Sequence, residues 1–492
     1  MRSLGSSVNR WLAWFHRWAG VALCLLFAIW FASGAVLHFV GFPSLSAVDK
    51  HAHSATIDLP RLNLSPTEAL DRAPTATDLR LVAVADRPVY LLRLPNRWIS
   101  IAGDTGEVLP LLSARDAARI AERFGGHPAA SMSGLLDYDQ WIVHQHFDEY
   151  RPFYRVRLID PAATDLYVSA ATGEILQRTS FQQRAWNWIG AVIHWIYFTP
   201  LRRSWSAWNQ VVWWISLAAL LSSVAGTWLG VIRMAANRAA GRRGLSPFRG
   251  WMRWHHIIGL FASVIVATWM LSGWLSMDHG RLFSHAEATG RQSLAMSGLS
   301  VPAITRATSL AWIRGLPSAT EITFNAVAGR AFVTAYDAAG AARVFFADES
   351  PAKGVAQLPQ LLLLTGLDHV WPGHVRASAT SDSYDTVYRL AESTAGAALF
   401  MVDGDSGSRV YVDQYSGRLL AVMNASRRDY AWVYYALHTF QFPGLIEHPK
   451  LRTILVLLLL ALGFLASVTG VVLSVKRLRR EFASTNPSRN AL

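Results

Sequence analysis

Four stretches of the chain are apolar over roughly 20 residues each: 18–40, 209–232, 256–277 and 453–475. That length crosses the hydrocarbon core of a bilayer as a helix. None of the four holds an Asp, Glu, Lys or Arg. Lipid offers the backbone no hydrogen-bond partner, so each is expected to be helical. A cleaved signal peptide competes for the first, with Ala32-Ser33-Gly34-Ala35 as its processing site. The apolar run continues beyond that site to Phe42, so a retained span is expected.

The long segments between the spans follow other periods. Val89-Tyr90-Leu91-Leu92-Arg93-Leu94 and Trp98-Ile99-Ser100-Ile101 read as strands, with Gly103-Asp104-Thr105-Gly106 as a turn after them. Ser65 followed by Glu68 is a helix-capping pattern. A second unit runs from Ser113-Ala114-Arg115-Asp116 to Leu166-Tyr167-Val168 and Thr172-Gly173-Glu174-Ile175-Leu176. Val410-Tyr411-Val412 with Ser416-Gly417-Arg418-Leu419-Leu420 echoes it downstream, and Tyr150–Val156 is echoed by Tyr384–Leu390. The fold class expected is an α-helical membrane protein with four transmembrane helices in two parallel repeats, plus α+β outer domains.

Charge orients this arrangement. The formal net charge is +13. It falls entirely within residues 1–18, 233–254 and 476–492, while each long loop carries as many acids as bases. Basic residues stay on the cytoplasmic side, so both termini and the short middle loop are expected there and both long loops outside. The basic residues adjoin spans, which argues for a lipid bilayer and against a nucleic-acid partner. The single cysteine, Cys24, lies in the first span, so an internal disulfide and thiolate-held clusters are excluded. No Gly-rich nucleotide fingerprint follows a strand, and the cytoplasmic segments are too short for a flavin or nicotinamide domain.

The resulting organisation is a first membrane helix over 1–42 and an outer region over 43–183. An interfacial helix with the second membrane helix covers 184–232, and a basic cytoplasmic loop covers 233–254. The third membrane helix spans 255–278, and a second outer region spans 279–427. An interfacial helix with the fourth membrane helix covers 428–476, and a basic tail covers 477–492.

The repeat carries histidines. His16-Arg17-Trp18-Ala19-Gly20 opens the first span and Trp254-His255-His256 opens the third. Arg184-Ala185-Trp186-Asn187-Trp188, then His194 and Thr199-Pro200-Leu201, precede the second. Arg428-Asp429-Tyr430-Ala431-Trp432, then His438 and Pro443-Gly444-Leu445, precede the fourth. Ionisable side chains at membrane depth are costly and mark function. A parallel repeat brings His16 to His255 near one face and His194 to His438 near the other. Two neutral imidazoles on one iron suit electron transfer, because no ligand position stays open. Interfacial histidines bonded to water and lipid are the plainer alternative for any one of them.

These motifs resemble a known family. The pattern Leu166-Tyr167-Val168 to Thr172-Gly173-Glu174-Ile175-Leu176 looks like the PepSY domain. The histidine-led spans resemble the PepSY-associated transmembrane family, which includes inner-membrane ferric-siderophore reductases. The resemblance covers nearly the whole chain and is weakest over 278–400. It implies PepSY-like periplasmic modules in a bacterial inner-membrane protein and two b haems. The reading that follows is an oxidoreductase taking electrons from a cytoplasmic or quinol donor. The family is broad and implies no one substrate; the acceptor expected here is a ferric siderophore or other ferric chelate, reduced to release iron(II). Two readings from other classes stand beside it: a PepSY interaction or regulatory protein without redox activity, and a transporter.

Further residues are secondary candidates. His256 points about 100° from His255 on a helix, where it replaces His255 or meets a propionate. His38 lies on nearly the same helix face as His16 and is a further ligand candidate. His279 follows the third span. Arg202 and Arg203 are expected at lipid headgroups, with a haem propionate as the sharper alternative. His144 and His146 alternate on an expected strand as a surface or metal-binding pair, and His369 and His374 are expected in a turn.

Overall fold

The structure is a computed structural model that describes residues 2–280, 282–377, 397–403, 407–442 and 444–484. Its four long helices are Arg2–Phe39, Trp205–Ala239, Gly250–Ser276 and Pro449–Ser484. Each is long and apolar enough to cross a membrane. The second and fourth overrun their apolar stretches into Arg233, Arg238, Lys476, Arg477 and Arg480. A helix continues there at little cost, because long basic side chains can keep their charged ends in polar surroundings. The helices close a ring in the order first, fourth, third, second. Trp30, Phe31, Ala219, Trp269, Met270, Val456 and Leu460 fill one level of its interior. Leu25, Trp214, Val264 and Leu458 point outward and exposed, as lipid-facing side chains do.

Fourteen described strands lie beyond the domain end of the bundle, opposite its basic end. In the first long loop they are β1 (Asp78–Val84), β2 (Arg87–Leu94), β3 (Arg97–Ala102), β4 (Ala129–Met132), β5 (Phe153–Leu158), β6 (Asp165–Ser169) and β7 (Ile175–Thr179). In the second they are β8 (Glu321–Val327), β9 (Arg330–Tyr336), β10 (Ala342–Phe346), β11 (Val375–Ala377), β12 (Ala397–Val402), β13 (Ser408–Asp413) and β14 (Leu419–Met423). β4–β7 and β11–β14 form one antiparallel sheet each. Helices Ala114–Gly125 and Gln360–Val370 pack on them through Ala117, Ala121 and Phe124, and through Leu363 and Leu367. The Ser65 capping box forms as the spacing predicts. The segment Tyr384–Leu390 lies outside the described residues, as does Pro443.

The third sheet was not legible in the sequence. It has six strands in the order β10-β9-β8-β1-β2-β3, so the two loops share it. β1 and β8 pair antiparallel, with Arg80 opposite Thr323 and Val82 opposite Glu321. A four-charge cluster seals the seam. Lys50 Nζ lies 2.8 Å from Glu174 and 3.2 Å from Glu321, and the Arg80 guanidinium lies 2.9 Å from each. Burial alone would push both carboxyls up, but the two cations beside them hold both below the usual carboxylate range. The arginine also stacks on Trp98, 4.6 Å from the ring centre.

Each loop re-enters the bundle through a short helix. Phe181–Asn187 is capped by Ser180 and runs into a wide π-type turn, Trp188–Val192. Ala425–Ala431 is capped by Asn424 and runs into Trp432–His438. Such turns recur at functional sites because they re-aim side chains that a regular helix would carry past one another.

Candidate functional site: two facing histidine pairs

The turns deliver His194 and His438 to the domain end of the bundle. Their ring centres lie 6.5 Å apart. At the basic end, His16 and His255 project from the first and third helices with ring centres 6.3 Å apart. An imidazole nitrogen lies roughly 1 Å from its ring centre, and a metal–imidazole bond is about 2 Å long. Two rings ligating one metal from opposite sides therefore have centres about 6 Å apart. Both pairs have that spacing.

Hydrogen bonds fix the tautomer of all four rings. His16 Nδ1 lies 2.9 Å from the Ser222 carbonyl oxygen, which only accepts. His255 Nδ1 lies 2.9 Å from Thr469 Oγ1, whose own proton goes to the Ala466 carbonyl at 2.6 Å. His194 Nδ1 lies 3.0 Å from Ser33 Oγ, which donates to the Ile29 carbonyl at 2.7 Å. His438 Nδ1 lies 3.1 Å from Ser272 Oγ, which donates to the Trp269 carbonyl at 3.2 Å. Each Nδ1 is therefore the protonated nitrogen, donating to an oxygen already committed. In the neutral ring each Nε2 then carries the lone pair, and it has no hydrogen-bond partner among the described residues. Metal-binding histidines are held this way, with the second nitrogen donating to a carbonyl or hydroxyl that fixes the ring.

Glycines make room for the rings. A Cβ on Gly226 would lie 2.5 Å from His16 Cε1, and one on Gly273 would lie 3.2 Å from His438 Cε1. Gly34 and Gly470 face His194 and His255 at 3.4 and 3.6 Å. Trp30 and Trp269 donate to the backbone carbonyls of His194 and His438 at 2.9 and 3.0 Å, locking the turns to the first and third helices.

The pair at the basic end opens into a cavity of about 660 Å³, within the usual range for ligand and cofactor sites. Arg17, Arg233, Lys476, Arg477 and Arg480 also line it. His256 lines it too, giving one nitrogen, Nε2, to the Gly230 carbonyl at 3.0 Å. Its buried Nδ1 and the Arg477 Nε have no hydrogen-bond partner among the described residues.

The other sequence candidates lie apart from the pairs. His38 Nε2 bonds Thr453 Oγ1 at 2.9 Å, and His279 Nδ1 bonds Asn209 Oδ1 at 2.6 Å. Arg202 does not reach out to headgroups. It is 1% exposed, with its guanidinium 4.7–5.0 Å from the ring centres of Tyr197, Trp205 and Trp208. Arg203 is exposed. His144 and His146 are exposed and in contact, with Nδ1 atoms 2.7 Å apart, but they stand at the start of the 3-10 helix Gln145–Tyr150 and not on a strand. The backbone carbonyls a strand would pair are taken there: Gln177 bonds Trp141 O and Arg151 bonds Ile142 O. His369 ends the helix Gln360–Val370 instead of lying in a turn, and His374 follows in the turn before β11. Among the described residues no group of three or more His, Cys, Asp or Glu could hold a metal ion.

The contacts that Ser33, Ser272, Thr469 and the facing glycines make with the histidines were not read from the sequence. A signal was present: Trp30-x-x-Ser33-Gly34 recurs as Trp269-x-x-Ser272-Gly273, at the same distance from His16 and His255. Compared with protein-family models and with curated proteins, the chain matches none.

Proposed function

We propose that this protein is a membrane electron conduit that holds two b haems, one on His16 and His255 and one on His194 and His438. The observation that carries the reading is the set of four neutral imidazoles. Each has Nδ1 tied off and Nε2 free, in pairs spaced for one metal. Among the described residues two histidines meet at each position, and these would hold the group. The rest of the inner cavity fits the same group: its volume is that of a cofactor site, and five basic side chains line it where propionates need cations. A bound haem supplies one-electron redox chemistry, with potential set by its ligands and burial.

The chain's own residues do the rest. Ser33, Ser272, Thr469 and the Ser222 carbonyl orient the ligands and raise their basicity. The apolar centre between the pairs excludes water, and Phe31 and Trp269 touch across it with ring centres 5.8 Å apart. The pairs lie at the levels of His16 and Ser33 on the first helix, about 25 Å apart at 1.5 Å per residue.

We read the matching order of elements in the two halves as a duplication, with both termini cytoplasmic and the sheets in the periplasm of a bacterial inner membrane. The resemblance to PepSY-associated transmembrane proteins supports a ferric siderophore or other ferric chelate as acceptor, with a cytoplasmic or quinol donor. Reduction releases the metal, because hard-oxygen chelators hold iron(III) far more tightly than iron(II). The test is an absorption spectrum with haem quantitation on purified protein. Two low-spin b haems are expected. His16→Ala or His255→Ala should remove one, and His194→Ala or His438→Ala the other. Protein with no haem, or four variants with unchanged spectra, would refute the reading.

A further inference from the structure

The two sides of the outer histidine pair differ. Eight, four and three residues before His194 stand Trp186, Gly190 and Ala191. At the same distances before His438 stand Tyr430, Tyr434 and Tyr435. On the first side Gly190 is closed off by Val36, which a Cβ there would meet at 2.9 Å. On the second side a ladder of rings leads away from the histidine. Tyr434 stacks on His438 at 5.9 Å, nearly parallel at 13°, and Tyr430 stacks on Tyr434 at 6.0 Å. Phe283 meets Tyr430 edge-on at 5.5 Å. The Arg427 guanidinium lies over the Tyr430 ring, 3.9 Å from its centre, and makes no ion pair among the described residues. All three tyrosines and Arg427 are partly buried, with part of each side chain still accessible. The nearby Asp278 carboxylate is turned to the backbone, accepting from Phe283 N at 3.0 Å.

We propose that Arg427, Tyr430 and Tyr434 form the docking and electron-exit face of the outer site, and that its occupant is an anionic, hard-oxygen ferric chelate. This rests on the reading of the outer pair as a haem site. Arg427 supplies the positive charge a carboxylate- or catecholate-rich chelate requires. The tyrosine ladder supplies contiguous packed atoms between His438 and that charge. A reduced haem held by His194 and His438 would supply one electron, taking the chelated iron(III) to iron(II) and itself ending one electron more oxidised, with no bond in the protein made or broken.

The binding half is tested with gallium(III) citrate, which mimics the ferric complex without being reducible, by calorimetry on the full chain in detergent. Saturable binding is expected. Arg427→Glu should weaken it at least about tenfold, while Gln183→Glu, at the matching place in the first half, leaves it unchanged. The exit half is tested by stopped-flow reoxidation of reduced protein with ferric citrate. Tyr434→Leu should slow the rate at saturation about tenfold or more without moving the half-saturating concentration, and Tyr434→Phe should keep the wild-type rate. The haem spectrum checks that Tyr434→Leu leaves His438 in place; if it does not, Tyr430→Leu carries the same test. Arg427→Glu that binds like wild type overturns the docking face. A ladder variant that reoxidises at the wild-type rate overturns the exit route. Protein with two haems but no gallium citrate binding sinks this proposal alone. Haem-free protein that binds gallium citrate through Arg427 sinks the haem reading instead.

Discussion

Gly226→Ala tests the inner site with a single methyl group. The added carbon would lie 2.5 Å from His16 Cε1 and 2.9 Å from its Nδ1. Ordinary carbon contacts are about 3.5–4.0 Å, so the ring must shift by about 1 Å. It cannot do so freely, because its Nδ1 is tied to the Ser222 carbonyl at 2.9 Å. Overpacking of this kind costs about 1–3 kcal/mol, which is about 5- to 150-fold in affinity for whatever the ring ligates. The helix itself gains up to about 1 kcal/mol when alanine replaces glycine, so the protein should remain folded and the loss should fall on the cofactor. Gly470→Ala is the matched control. Its methyl would sit 3.5 Å from Cys24 Cβ and 3.6 Å from His255 Cε1, in ordinary contact. The assay is the haem-to-protein ratio after purification, with low-temperature electron paramagnetic resonance to count low-spin species. Gly226→Ala should lose or convert the inner haem only, and Gly470→Ala should retain both. Equal behaviour of the two variants would show that His16 is not held against Gly226 as described.

Ser33→Ala and Ser272→Ala each strand a buried imidazole N–H, at a cost of about 1–3 kcal/mol; haem titration should show outer-site affinity falling about 10- to 100-fold, and unchanged affinity would contradict the tautomer assignment. Glu321→Gln leaves Lys50 and Arg80 sharing one carboxylate, and chemical denaturation should show about 3–5 kcal/mol lost. The same cluster sets a pH dependence. Because both folded carboxyls titrate below the ordinary glutamate value of 4.5, their contribution is complete above that value and is lost as pH falls below it toward the folded values. Thermal midpoints of the wild type should hold from pH 7 to about 5 and fall beneath about 4.5, while Glu321→Gln flattens that fall; a wild-type midpoint insensitive to acid would count against the cluster. Reporter fusions after residues 110 and 340 should read periplasm, and those after residue 240 and at the C-terminus cytoplasm; a cytoplasmic signal at 340 would break the four-span topology.

The spans were legible because a membrane helix needs no knowledge of its partner: lipid alone dictates an uninterrupted apolar run. The histidine pairs were legible because similar short motifs stand around His16 and His255 and around His194 and His438, which suggested pairing each with its counterpart. What the sequence did not show depends on contacts that no local pattern encodes. The pairing of β1 with β8 joins strands whose residues are more than 200 positions apart. The role of Ser33 emerges only once the turn at Trp188–Val192 swings His194 back onto the first helix. The alternation over Trp141–His146 suggested a strand, yet Gln177 and Arg151 claim its carbonyls from elsewhere in the fold. Arg202 looked like a headgroup anchor because Arg203 follows it, and only the packing of Tyr197, Trp205 and Trp208 encloses one and leaves the other outside.

The shared sheet also governs how the molecule is made. β1 presents an open edge once the first loop is made, and β8 cannot cover it until the two long apolar helices between them and the start of the second loop have been synthesised. At synthesis rates of 5–20 residues per second, that interval is roughly 10–50 s. Through it, Val82 and Leu81 lie along an unpaired strand, with Arg80 beside them waiting for Glu321. An open strand edge is a template for pairing with any other chain. Chains halted after the second span would therefore be the aggregating species during expression. A second-loop segment supplied in trans, carrying β8–β10, would have a ready-made place to add.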